Sequence, residues 1–287
     1  MNIQAEKLIE LVKERHHQSK SRKAKFICVS SGKGGVGKTN FSVNFSWLLA
    51  NRFDKKVLLI DADIGLGNVH VILGVSPEKN LKLLMKGADI RDLIQTYENI
   101  DILLGFSGID SFQELESIDT ITVINKLEKI ADIYDYVILD APAGINENVL
   151  KFAVSSDVTY VITTPEPTAI TDAYALIKTL YKLYNYDCIK IVANMCRNKN
   201  EGFSILERMR ASCENFLSFR PKVAGVLPES FNLKVAVRKR EPVAISNPQD
   251  QYVLALMEIA ARETGEILKE ENSGFFEKLK KFLGIKS

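Results

Sequence analysis

The segment Gly32-Lys33-Gly34-Gly35-Val36-Gly37-Lys38-Thr39 constrains this chain more than any other, because it fits only one kind of local structure. An apolar run, Phe26 to Val29, precedes it, and a helical pattern from Lys38 to Ala50 follows. A glycine-rich turn of the form Gly-x-x-x-x-Gly-Lys-Thr between a strand and a helix is a phosphate-binding loop. The backbone N–H groups of Gly34, Gly35, Val36 and Gly37 turn inward on the phosphates, and the helix N-terminus adds positive potential. Lys38 reaches the β and γ oxygens of a triphosphate, and Thr39 offers its hydroxyl to magnesium.

Further apolar runs recur between helix-like segments: Val57 to Ile60, Ile102 to Leu104, Tyr136 to Leu139, Val158 to Ile162, Ile189 to Ala193 and Val223 to Leu227. Strands this uniformly apolar are buried on both faces. The expected fold is therefore α/β: a mostly parallel, doubly wound central sheet with helices on both faces, plus short N- and C-terminal helical extensions. In such a sheet the ligand binds beyond the carboxyl ends of the strands, near Ser30, Asp61, Asp140, Thr163 and Asn194. Asp140 ends one strand, where a carboxylate can hold magnesium-bound water. Asp61-Ala62-Asp63 ends another, and either acid is placed to orient an attacking water. Two neighbouring acids suit a cation site better than a purely structural one.

The organisation expected is an N-terminal helix and basic linker over residues 1–25, a main domain over 26–270, and an amphipathic helix over 271–287. With 46% hydrophobic and 26% charged residues the chain has ordinary globular composition. A net charge of +2 does not by itself argue for nucleic acid as a partner. Cys28, Cys188, Cys196 and Cys213 contain no C-x-x-C pair, which argues against an iron–sulfur role. Cys28 and Cys188 fall within apolar runs and are expected to be buried, reduced thiols. No signal peptide and no membrane-spanning run is visible, so a cytoplasmic location is expected.

Lys33 makes a resemblance specific. Lys-Gly-Gly-Val-Gly-Lys-Thr resembles the deviant Walker motif of the MinD/ParA class of ATPases, in which the first lysine crosses a dimer interface to the partner's nucleotide. Asp61 to Asn68 and Asp140 to Gly144 resemble the two switches of that class. The resemblance implies that Asp63 positions the hydrolytic water, with Lys33 and Lys38 completing the catalytic set, and that Asp61, Asp140 and Thr39 serve magnesium. It implies slow, dimer-dependent hydrolysis of ATP. Adenine would be held by Asn194 and the Pro228-Glu229 loop. Neither Asn198-Lys199-Asn200-Glu201 nor Asn125-Lys126-Leu127-Glu128 has the aspartate of a guanine-binding loop.

Within the class, Thr164 to Ala175 and Val192 to Met195 look most like the flagellar-number regulators known as FlhG, FleN or YlxH. That resemblance implies regulation of flagellar number or placement, with basal-body components and a signal-recognition-particle-type GTPase, FlhF, as partners. The GTPase-activating element of the subfamily is matched by Gln4, Ala5 and Leu8, whereas Ile3 and Ile9 depart from it. At the other end, Phe275, Phe276, Leu279, Phe282 and Leu283 fall on one helical face opposite Lys278, Lys280 and Lys281. This is the composition of an interfacial helix. It implies reversible association with an anionic inner-membrane surface, strengthened by avidity in an ATP-bound homodimer. The alternatives are MinD-like division-site placement and ParA-like DNA partitioning. For the latter the compact basic candidate is Arg238, Lys239 and Arg240, which read equally well as a solvated face.

Overall fold

The apolar runs assemble into one eight-stranded sheet in this computed structural model, which describes residues 24–63, 67–105 and 120–266. The strands are β1 (Lys25–Ser31), β2 (Val57–Asp61), β3 (Gln95–Tyr97), β4 (Ile100–Leu104), β5 (Tyr136–Ala143), β6 (Val158–Thr163), β7 (Ile189–Cys196) and β8 (Lys222–Pro228). Their order is β3-β4-β2-β5-β1-β6-β7-β8, and every pairing except β3 with β4 is parallel. The helices are α1 (Lys38–Arg52), α2 (Val69–Leu73), α3 (Ile90–Leu93), α4 (Thr120–Ala131), α5 (Glu147–Ser155), α6 (Pro167–Tyr184), α7 (Lys199–Leu217), α8 (Phe231–Lys239), α9 (Val243–Ser246) and α10 (Gln251–Thr264).

Alternation along β1 shows how the sheet is covered on both faces. Ile27 and Val29 join the core that includes α1 and α10, whereas Cys28 joins the core formed with α5, α6 and α7. Successive side chains of a strand point to opposite faces, so a fully apolar strand feeds two cores at once. Helix α1 is buried from Phe41 to Ala50 and packs on the centre of the sheet. Phe41 and Phe45 stack with centroids 5.2 Å apart, and both contact the Tyr160 ring.

Three local expectations are corrected. The antiparallel edge strand β3 is an addition, because Gln95, Thr96 and Tyr97 lack the long apolar run that marks the other strands. Lys25 belongs to β1 rather than to the preceding linker, pairing with Tyr136. Cys188 is exposed, not buried, since it precedes β7 by one residue and its thiol lies against Asp187. Cys28 is buried as expected, and burial pushes its thiol up to about 12.

Gln4, Ala5 and Leu8, the tail residues Phe275, Phe276, Leu279, Phe282 and Leu283, and part of the first switch, residues 64–66, lie outside the described residues. No helix among the described residues is long and apolar enough to cross a membrane.

Candidate functional site

Parallel pairing brings the loops that follow β1, β2, β5 and β7 to one edge. The turn from β1 into α1 runs through Gly35 (φ +81°) and Gly37 (φ +86°), a left-handed conformation that glycine adopts without strain. Gly32 is required for a different reason: a Cβ there would sit 2.2 Å from the Asp172 backbone carbon of α6. Helix α1 begins at Gly37 with no side-chain cap and no acid in its first turn. By contrast, Asn146, Asn198, Ser230 and Asp250 cap α5, α7, α8 and α10 with their side chains. Helices α2, α6 and α9 also start without a side-chain cap, but only here does the uncapped turn follow a glycine-rich loop, which leaves its N–H groups for an external anion.

Lys38 is buried and its Nζ lies 3.0 Å from Asp140 Oδ1, which also accepts a 2.8 Å bond from Ser42 Oγ. Ser42 is one helical turn from Lys38, so a single face of α1 supplies both partners of Asp140. Asp61 pairs in register with Asp140 across β2 and β5. Its carboxylate accepts the N–H groups of Asp63 (3.2 Å) and Val69 (3.1 Å). Gly67 makes room for that carboxylate, because a Cβ there would lie 2.5 Å from Asp61 Oδ2. Burial, reinforced by the Asp140 charge, pushes the Asp61 carboxyl up to about 7 against the opposing N–H bonds and Lys38. Asp63 is half-buried, and burial raises its carboxyl while Lys38 pulls the other way. Two raised carboxyls beside one lysine form a site whose charge would be balanced by a cation.

Asn194, at the carboxyl edge of β7, donates from Nδ2 to Val36 O at 2.8 Å, tying β7 to the glycine loop. Its Oδ1 is buried without a partner among the described residues. A buried acceptor left open beside a phosphate loop fits a donor from a bound base. Met195 follows with φ +57°, and its terminal methyl is 3.3 Å from where a Cβ on Gly37 would stand. Pro228 ends β8, and Glu229 N donates to Cys196 O, so this loop does sit next to β7. The Glu229 side chain, however, turns to Lys234 at 2.6 Å, and that hydrogen bond holds its carboxyl below the ordinary range.

Lys33 does not project freely into solvent. Its Nζ is bound within the chain by Glu166 Oε1 (2.5 Å) and Thr168 Oγ1 (2.8 Å) at the start of α6. Thr168 Oγ1 also donates to Glu166 at 2.8 Å, closing a three-residue cluster, and the hydrogen bonds from Lys33 and Thr168 lower the Glu166 carboxyl.

The AAA-domain family matches residues 24–192, which include the loop, both aspartate-bearing strands and Glu166. The flagellum site-determining protein YlxH of Helicobacter pylori is 35% identical over 99% of this chain and its own full length. The chain belongs to the MinD/ParA family of P-loop ATPases. Antiactivator FleN of Pseudomonas aeruginosa is 34% identical, with 82% of this chain and 85% of FleN covered. Among solved structures, MinD of Pyrococcus horikoshii complexed with Mg-ADP superposes with a TM-score of 0.68 at 21% identity, covering 88% of this chain and 98% of that one, and shows the fold.

For this MinD/ParA ATPase the structure brings together Gly34 to Thr39, Asp61, Asp63, Asp140 and Asn194, with Pro228 and Glu229 alongside. Three participants were not legible as such in the sequence. Ser42 lies one helical turn from Lys38, but that spacing alone does not single it out. Glu166 and Thr168 lie in a segment that matched the family, yet their pairing with Lys33 spans more than 130 residues and no local pattern reports it. The basic run at Arg238 to Arg240 is a helix end: Arg238 and Lys239 lie in the last turn of α8, and Arg240 closes it at φ +58°. Cations there complement the helix dipole.

Proposed function

We propose that this chain is an ATP-dependent dimerising switch that visits the inner face of the cell membrane and sets flagellar number or placement, with an FlhF-type GTPase as a partner. The flagellar reading draws on the names of its relatives, a flagellum site-determining protein and an antiactivator, both matched over most of their length. The observation that carries the switch is Lys33: an extra lysine in the phosphate loop, held only by residues at an exposed edge.

The uncapped turn at Gly37, the Lys38–Asp140 pair and the open Asn194 acceptor fit a magnesium nucleotide. Lys38 transfers from Asp140 to the β and γ phosphate oxygens of the substrate. Thr39, Asp61 and Asp140 would hold magnesium, which would neutralise charge on the phosphates. Asp63 orients the attacking water. The Asn194 Oδ1 acceptor suits the exocyclic amino group of adenine, whereas guanine presents an oxygen there, so ATP is the substrate. Lys33 leaves Glu166 and reaches the nucleotide of a second copy, and the dimer presents two tails to the membrane. The altered N-terminal element retains Gln4, Ala5 and Leu8 for the GTPase.

Co-sedimentation with anionic vesicles tests this reading. Wild-type protein should pellet in magnesium-ATP and not in magnesium-ADP, and Lys38→Ala should stay in solution in both. Equal pelleting of the wild type and Lys38→Ala would refute nucleotide control.

A further inference from the structure

Asp140 Oδ1 takes two donors from one face of α1, Lys38 Nζ at 3.0 Å and Ser42 Oγ at 2.8 Å. The two are not equivalent once a nucleotide binds. Lys38 ends the phosphate loop and carries its ammonium on a long, flexible stem, so it can move to the phosphates. Ser42 is fully buried inside a helix packed on the sheet, and its hydroxyl moves only by rotating in place.

Ser42 Oγ also lies 3.1 Å from Lys38 O, one turn back along the helix. A hydroxyl carries one hydrogen, so it donates either to that carbonyl or to Asp140. With Lys38 in place, Asp140 has a charge-assisted bond in either case. With Lys38 on the phosphates, Ser42 is the side-chain donor that Oδ1 retains among the described residues. The demand on it rises at that moment, because Asp61 stands beside Asp140 in register and both carboxylates are buried. Their like charges act to turn Asp140 away, and a hydrogen bond to a charged acceptor is strong enough to oppose that.

We infer that Ser42 is a positioning residue for the magnesium nucleotide: as Lys38 leaves for the phosphates, Ser42 commits its proton to Asp140 Oδ1 and keeps that carboxylate in place for the metal ion. The inference rests on the reading of Asp140 as a magnesium carboxylate. Ser46, one turn further along α1, supplies the comparison, since it is equally buried and its hydroxyl has no partner among the described residues.

The test measures ATP binding to the full chain in excess magnesium and in excess EDTA, for wild type, Ser42→Ala, Ser42→Thr and Ser46→Ala. The ratio of the two affinities reports the metal's share, whereas a change that merely loosens α1 weakens both alike. Ser42→Ala should bind ATP in EDTA nearly as wild type does and lose about tenfold in magnesium, the weight of one hydrogen bond to a charged group. Ser42→Thr keeps the hydroxyl and should keep the wild-type ratio, as should Ser46→Ala. If Ser42→Ala keeps that ratio, or if Ser42→Thr lowers it as far as Ser42→Ala does, the inference is wrong and the magnesium reading of Asp140 stands. If wild type itself gains no affinity from magnesium, that reading falls and takes the inference with it.

Discussion

Lys33 Nζ lies 2.5 Å from Glu166 Oε1, so the extra lysine of the phosphate loop is engaged within its own chain. Any reach toward a second copy competes with this contact. Both side chains are partly exposed, and exposed pairs are weak, so the tether is easily exchanged. Glu166→Ala is expected to leave nucleotide affinity unchanged and to lower the protein concentration needed for ATP-dependent dimerisation by no more than about fivefold. Nucleotide titration and sedimentation on the same samples check both halves.

The Lys38–Asp140 pair is of another kind, because both side chains are at least nine-tenths buried. Removing one member of a buried pair strands the other charge and costs about 3 kcal/mol. Lys38→Ala should therefore destabilise the nucleotide-free protein by about that amount in denaturant unfolding. Adding Asp140→Asn should recover most of the loss while nucleotide binding stays absent. A double variant as unstable as the single one would show that Lys38 contributes through packing instead.

Two glycines of the loop should behave oppositely. A Cβ at Gly32 meets backbone of α6 at 2.2 Å, whereas a Cβ at Gly34 meets nothing within 4 Å. Gly32→Ala is expected to cost about 2 kcal/mol or more of stability through overpacking. Gly34→Ala should unfold within about 0.5 kcal/mol of wild type. Thermal unfolding of the nucleotide-free proteins separates the two.

Asn194 links the loop to the base subsite. Asn194→Leu removes both the bond to Val36 and the open acceptor. ATP affinity should fall by about tenfold or more, the loss expected of one well-placed hydrogen bond and its buried partner. Discrimination of ATP from GTP should narrow with it, which competition binding measures directly.

Glu263 gives the fold a pH dependence with a definite sign. Burial acts to raise its pKa, but the bonds from Lys190, Lys25 and Tyr160 together outweigh it, so the folded value is below the ordinary one. A depressed carboxyl contributes stability above its unfolded pKa, about 4.3, and loses it as pH falls through the folded value. Acid unfolding below about pH 4.3 should therefore be shallower in Glu263→Gln than in wild type, although that variant is less stable at neutral pH.

Legibility in the sequence followed the range of the interactions. The parallel strands and the loop were readable because burial on both faces demands unbroken apolar runs, and the glycine spacing is local. Strand β3 was not, since Gln95 and Thr96 look like any polar connector until Ile102 and Asp101 stand beside them. Asp61 and Asp140 were placed at one edge by the strand pattern alone, yet their register, and Ser42 between Lys38 and Asp140, required the packed helix. Glu263 is an acid near the end of an amphipathic helix, and nothing nearby in sequence reveals that its partners are Lys25 and Lys190.

In the proposed switch a bound triphosphate joins two copies through Lys33. Sedimentation velocity in magnesium-ATP, with nucleotide affinity measured on the same samples, tests it most directly. Wild-type protein should sediment as a dimer, and Lys33→Ala should bind ATP with wild-type affinity yet remain a monomer. A Lys33→Ala variant that dimerises at the wild-type concentration would contradict the account.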